Sequence, residues 1–180
     1  MAMSRNLDNL FLDIYRKAHN NALDLLREAE LLYAHKAYAR AYAIAYTALE
    51  EISKSQFAAD VCTGLCTAEE FKEFYQNHTK KLERVQWVHE DANSWPYNLR
   101  WIGPDLDDVE TINPNQPVFQ KRLAALYVDV ASSEQVAKEP KEAITGNDAH
   151  EIIQLVEVAL QRIMQVEFEQ GRIGTKGFIK

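Results

Sequence analysis

The sequence predicts an all-α protein: an antiparallel bundle of four to five helices, with one irregular loop between the third and the fourth. Three observations carry this expectation. Apolar residues recur at three- and four-residue spacing over most of the 180 residues. Glycine (6) and proline (5) are scarce, so few points break a helix. No segment reads as a strand. The length suits one domain, since ~100–200 residues is the usual size. The expected organisation is a single helical domain over 1–170 and a flexible basic tail over 171–180.

Each element has its own signal. Leu7, Leu10, Phe11, Ile14, Ala18, Ala22, Leu25, Ala29 and Leu32 keep helical spacing and predict a first helix over 5–34. The second spans 37–61. Its Tyr38, Tyr42 and Tyr46 form a four-residue ladder among alanines, which favour helix and let a neighbouring helix approach closely. The ladder reads as a packed stripe with hydroxyls at a wet edge, or else as an aromatic platform for bases. Gly64 fits the left-handed position that ends a helix. Thr67-Ala-Glu-Glu70 is a capping box that starts a third helix, running to about residue 93. The stretch 94–117 holds four prolines and a glycine with no surviving period, and it includes Trp95, Tyr97 and Trp101. A loop this long is usually functional or disordered, and its aromatics favour a packed crossing. A fourth helix covers 118–130. Asp148-Ala-His-Glu151 predicts the cap of a fifth, with Ile152, Val156, Ala159, Leu160, Ile163 and Val166 facing the core.

Composition narrows the function. A hydrophobic content of 47% supports a real core and excludes a purely solvating chain. The net charge of −7 excludes indiscriminate electrostatic binding to nucleic acid. The acid is uneven: residues 1–90 sum to −2 and 91–180 to −5, while Gly171 to Lys180 carry three bases and no acid. Cys62 and Cys66 cannot build a disulfide framework and read as idle or buried thiols. No apolar run approaches the ~20 residues of a membrane span, and no signal peptide is expected. The expectation is a cytoplasmic protein without metal or other cofactor.

Two polar groups stand out. Leu49-Glu50-Glu51-Ile52-Ser53-Lys54 places Glu50 and Lys54 at i,i+4 in the favourable order, with Glu51 ~100° further round the helix. Charges in a helix of alanine, tyrosine, leucine and isoleucine are costly unless paired. In the third helix His78, Lys81 and His89 fall within ~80° of arc, with Arg84 between the histidines. Imidazole titrates near neutral pH and serves as general base or acid. Lysine and arginine hold a phosphate and stabilise charge developing on it. Together these are the parts for metal-independent RNA cleavage through a ribose 2′-hydroxyl. Hydrogen-bonded structural histidines are the plainer alternative.

Four segments carry a family resemblance. They are Ala22 to Ala29, Ala37 to Lys54 ending Ala-Leu-Glu-Glu-Ile-Ser-Lys, Phe74-Tyr-Gln-Asn-His-Thr-Lys-Lys81, and Lys121-Arg-Leu-Ala-Ala-Leu-Tyr-Val-Asp129 followed by Pro140. In this order, over roughly 18–165, the sequence resembles the AbiV family of abortive infection proteins, in the HEPN superfamily. The resemblance implies an HEPN-like bundle that pairs as a homodimer, and often a metal-independent endoribonuclease of phage defence or toxin–antitoxin systems. It implies an arginine followed four to six residues later by a histidine, at a site shared between protomers. Arg84 to His89 keeps that spacing, with apolar Val85 after the arginine. Arg122 to Tyr127 keeps it with tyrosine in place of histidine.

The leading expectation is therefore a defence effector that binds and cleaves RNA. His78, His89 and Arg84 are its catalytic candidates, Lys54 and Lys81 its phosphate-binding candidates, and Glu50, Glu51 and Tyr127 a supporting polar network. Expected partners are RNA, a second copy of the chain, and an antitoxin or phage protein, with no membrane. The alternative is a non-catalytic interaction or scaffold module whose polar cluster is structural. A third reading, a nucleotide-binding helical partner, finds no phosphate-cradling glycine-rich loop.

Overall fold

The computed structural model describes residues 2–76, 117–131, 136–174 and 177–178. Helix α1 is Ala2–Ala34, α2 is Tyr38–Thr63, α3 is Ala68–Gln76 and α4 is Pro117–Leu126. The single-turn α5 is Pro140–Ala143, and α6 is Gly146–Gln170. Two short antiparallel ribbons accompany them: β1 (Asp129–Ala131) with β2 (Val136–Lys138), and β3 (Arg172–Ile173) with β4 (Gly177–Phe178). The fold is the expected all-α bundle. The predicted third helix beyond residue 76, and the loop over 94–116, lie outside the described residues.

Helices α1 and α2 form a hairpin. Lys36 N–H donates to the Tyr33 carbonyl (2.8 Å) and Ala37 N–H to that of Leu32 (2.9 Å). This pattern closes a helix through a left-handed residue, and the residue here is Lys36, at φ 60°. A side chain in that conformation costs about 1–2 kcal/mol, which glycine would avoid. The buried face of α1 is Phe11, Tyr15, Ala18, Ala22, Leu26 and Ala29, in steps of three and four. Leu10, expected in this stripe, is 52% exposed.

Helix α2 is buried on nearly every side between Ala39 and Asp60 and packs against α1, α4 and α6. It is the bundle's centre, which is why its composition reads apolar all round. Ala41, Ala45 and Ala48 are fully buried and keep the backbones close. One core cluster joins them to Ile152, Val156, Leu160 and Ile163 of α6. A second, towards the other end of α2, joins Phe11, Tyr15, Phe57, Phe71 and Ile173. In it Phe11 and Phe71 meet edge to face, 5.2 Å between centres.

Helix ends follow their caps. Glu70 N–H donates to Thr67 Oγ1 (3.1 Å) and Thr67 N–H to Glu70 Oε2 (2.7 Å), the expected box. Gly64 takes φ 77° at the end of α2, also as expected. The cap of α6 is one turn earlier than predicted. Thr145, not Asp148, is the N-cap: Thr145 N–H donates to Asp148 Oδ2 (2.8 Å) and Asp148 N–H to Thr145 Oγ1 (3.2 Å). Gly146 and Asn147, which look like linker, are the first turn. Helix α4 ends at Leu126 rather than Val130, because β-branched residues around 128–130 suit the ribbon that follows.

The tail past Gly171 folds back. Ile173 is 3% exposed in the second core, and the backbone of Gly174 (φ 73°) passes so close to Asp60 that a Cβ would lie 2.4 Å from its Oδ1. One apolar residue among polar neighbours anchors a segment whose composition suggests fraying.

Candidate functional site

Glu50, Glu51 and Lys54 of α2 are held in pairs. Lys54 Nζ hydrogen-bonds Glu51 Oε1, both side chains more than four-fifths buried. Glu50 Oε1 faces Arg122 Nη1 of α4 at 3.5 Å. The i,i+4 pairing expected of Glu50 and Lys54 is thus replaced by an i,i+3 pair and a bridge between helices. A central helix has few solvated faces, so each charge takes the nearest opposite charge. Lys54, expected to bind phosphate, is hydrogen-bonded to Glu51. Tyr127 is 65% exposed just past the end of α4, a surface position rather than one within this seam.

Arg122 makes a second contact. Its guanidinium carbon lies 4.9 Å from the centre of the Tyr46 ring, a cation–π geometry. Tyr46 is fully buried, and its hydroxyl and Arg122 Nε have no hydrogen-bond partner among the described residues. Burial, then the Glu50 carboxylate, push the Tyr46 phenol well above its ordinary value, against the pull of Arg122. The wet edge expected for the tyrosine ladder is therefore absent at Tyr46. Tyr42 is 3% exposed, and only Tyr38 is half-buried. Arg122 figured in the sequence only as half of an incomplete motif. Its signal was a lone arginine in an apolar helix beside a helix that carries two glutamates.

Two further polar groups tie α6 to the bundle. Lys121 Nζ bonds Asp148 Oδ1 at 2.5 Å. Burial raises the Asp148 carboxyl, but hydrogen bonds from Lys121 and from the side chain and backbone of Thr145 outweigh it and hold it below its usual range. Tyr15 Oη donates to Glu167 Oε2 at 3.0 Å. Nearby, the buried Nδ1 of His19 has no hydrogen-bond partner among the described residues. Burial lowers the His19 imidazole, with Glu167 opposing.

His78, Lys81, Arg84 and His89 lie outside the described residues. Among the described residues no group of three or more His, Cys, Asp or Glu side chains could hold a metal ion, and no helix is long and apolar enough to cross a membrane. Cys62 and Cys66 are half-buried thiols against the second core.

What the described part can do is hold α4 against α2 through charge and aromatic contacts, at the seam between the sequence segments 37–54 and 121–129. Comparison with known proteins bears on those same segments. No curated protein and no solved structure matches the chain. The AbiV family model of the HEPN domains matches residues 10–161, from the buried face of α1 through the core of α6. With most of its length and its whole central seam inside that match, the chain belongs to the AbiV family of abortive infection proteins.

Proposed function

We propose that this protein is an abortive-infection effector that binds RNA and cuts it without a metal. Membership of the AbiV family supports the defence role. The cutting rests on one observation, the His78, Lys81, Arg84 and His89 face of the sequence. One histidine takes the proton from a ribose 2′-hydroxyl. That oxygen attacks the adjacent phosphorus, and the other histidine protonates the departing 5′-oxygen. Arg84 and Lys81 stabilise the charge on the crowded phosphate. The products are a 2′,3′-cyclic phosphate and a 5′-hydroxyl. Glu50, Glu51, Lys54 and Arg122 hold the scaffold and take no part in the chemistry.

The test is cleavage of single-stranded RNA in excess chelator. His78→Ala and His89→Ala should each lower the rate at least about 100-fold with unchanged melting. A 2′-deoxy substitution at the cut position should block cleavage. Cleavage that persists in both variants would remove the histidines from the chemistry.

The paired seam favours a second reading, a non-catalytic interaction module. It predicts that wild-type protein leaves RNA intact, while Glu51→Ala and Lys54→Ala each lower Tm. Full melting stability in both variants would count against it.

A further inference from the structure

We infer that the C-terminal half of α6 is a docking surface for another protein, and that the partner presents a basic amphipathic helix. The surface uses none of the residues proposed for cleavage and goes beyond that reading. It starts from an aromatic ring left in water. Phe168 is 93% exposed, and Met164, one turn before it, is 53% exposed. Gln161 and Glu157 continue the same face, since positions 157, 161, 164 and 168 advance in steps of four and three. The opposite demand, packing on the core, falls to Ile152, Val156, Leu160 and Ile163. Single exposed leucines are ordinary on a protein surface. A whole phenylalanine beside a methionine is different, because aromatic residues and methionine are the types enriched where proteins meet. The AbiV match ends at residue 161, so family membership does not assign this pair a role.

Charge selects the occupant. Arg162 is the one lysine or arginine of α6, and Gln165 accepts from it at 2.8 Å. Glu167 and Glu169, both exposed, stand ~100° to either side of Phe168. They lie in the last turn, where the helix dipole is already negative and no base offsets it. Each accepts a hydrogen bond from a neutral group, Tyr15 or Gln165, which leaves its charge in place. Past Gly171 the chain turns back to α2, where Ile173 fills the second core, and the ring stays uncovered.

A ring between two carboxylates suits a lysine or arginine from outside. The aliphatic stem covers the ring, the ring face attracts the cation, and the head reaches a carboxylate. The same acids repel the phosphates of RNA. They also repel a second copy of this chain, since two such faces set together would bring Glu167 and Glu169 against their own kind. The complement is a helix with an apolar stripe for Met164 and Phe168 and bases along its borders, helix recognition by apolar anchors at i and i+4.

A designed peptide of about 18 residues, five helical turns, tests the surface. It carries leucine on one face, lysine on the other and a fluorescein label. A twin with glutamate in place of lysine is the comparison. By anisotropy the lysine peptide should bind wild-type protein and the twin should not. Phe168→Ser should weaken binding about tenfold at unchanged Tm, because the ring is already in water. Glu169→Lys should weaken it several-fold and flatten its dependence on salt. Leu31→Ser, which removes an equally exposed side chain from α1 (62% exposed), should leave binding as it was. A wild-type protein that ignores the lysine peptide, or binds the twin as tightly, would overturn the inference. So would equal binding by Phe168→Ser, or a loss in Leu31→Ser as large as in Phe168→Ser, which would mark general attraction to an acidic protein. Sedimentation supplies the remaining outcome: a wild-type dimer that Phe168→Ser dissociates would show a second copy on this face and overturn the basic partner.

Discussion

The guanidinium carbon of Arg122 lies 4.9 Å from the centre of the Tyr46 ring, so a cation from α4 caps an aromatic of the central helix. The same guanidinium faces Glu50 at 3.5 Å, with both side chains largely buried. One residue thus neutralises a buried carboxylate and covers a ring. Arg122→Leu keeps bulk but withdraws the counter-charge. Removing one member of a buried pair costs about 3–5 kcal/mol. For a chain of this size that is roughly 6–20 °C in Tm. Thermal melting followed by circular dichroism reads it, and a fall of under about 2 °C would show that Arg122 is not structural.

Tyr46→Phe should behave oppositely. The Tyr46 hydroxyl is buried without a hydrogen-bond partner among the described residues, so deleting it removes a desolvation cost of about 1–3 kcal/mol and keeps the ring under Arg122. Tm should hold or rise. A drop of several degrees would mean that the hydroxyl is hydrogen-bonded in solution, as through a buried water.

Gly174→Ala tests the folded tail. The new Cβ would meet Asp60 Oδ1 at 2.4 Å in a backbone at φ 73°. Left-handed strain alone costs about 1–2 kcal/mol, and the clash with a fully buried side chain adds to it. The ribbon and Ile173 should lift off α2. Hydrogen exchange should rise at 171–174 before it rises in the centre of α2. Exchange rates matching wild type there would show that the tail does not depend on this close approach.

Much of this arrangement was legible in the sequence because it follows from local spacing. The α1 stripe, the Thr67–Glu70 box and the Gly64 cap each lie within a few residues of chain, where propensity and hydrogen bonding decide. The departures from expectation are decided across the fold. Glu50 turned from Lys54 to Arg122 because α4 brings a cation against α2, which i,i+4 spacing cannot foresee. Tyr127 looked like the end of a helical face, but the chain leaves the helix at Leu126 and the ring is exposed. Ile173 looked like part of a frayed basic tail, but it fills a core built from Phe11, Phe57 and Phe71. Thr145 does not stand out as a cap in the sequence because Gly146 and Asn147 resemble a linker, although a glycine there makes room for Tyr38.

His19 gives the protein a pH dependence of definite sign. Burial lowers its imidazole below the ordinary 6.5, Glu167 pulling weakly the other way. The Nδ1 atom has no hydrogen-bond partner among the described residues, and Tyr15 already occupies Glu167 Oε2. The folded state therefore prefers neutral imidazole. Above about pH 6.5 neither folded nor unfolded chain holds the proton, and the preference costs nothing. As pH falls through that value the unfolded chain binds a proton that the folded chain resists. Stability is then lost progressively, down to the lower folded-state value. His19→Gln removes this dependence but leaves that of the other four histidines in place. Tm measured from about pH 7.5 to about pH 5.5 should fall more steeply in wild type than in the variant. Parallel curves would mean that the folded protein lets His19 take its proton as freely as the unfolded chain does.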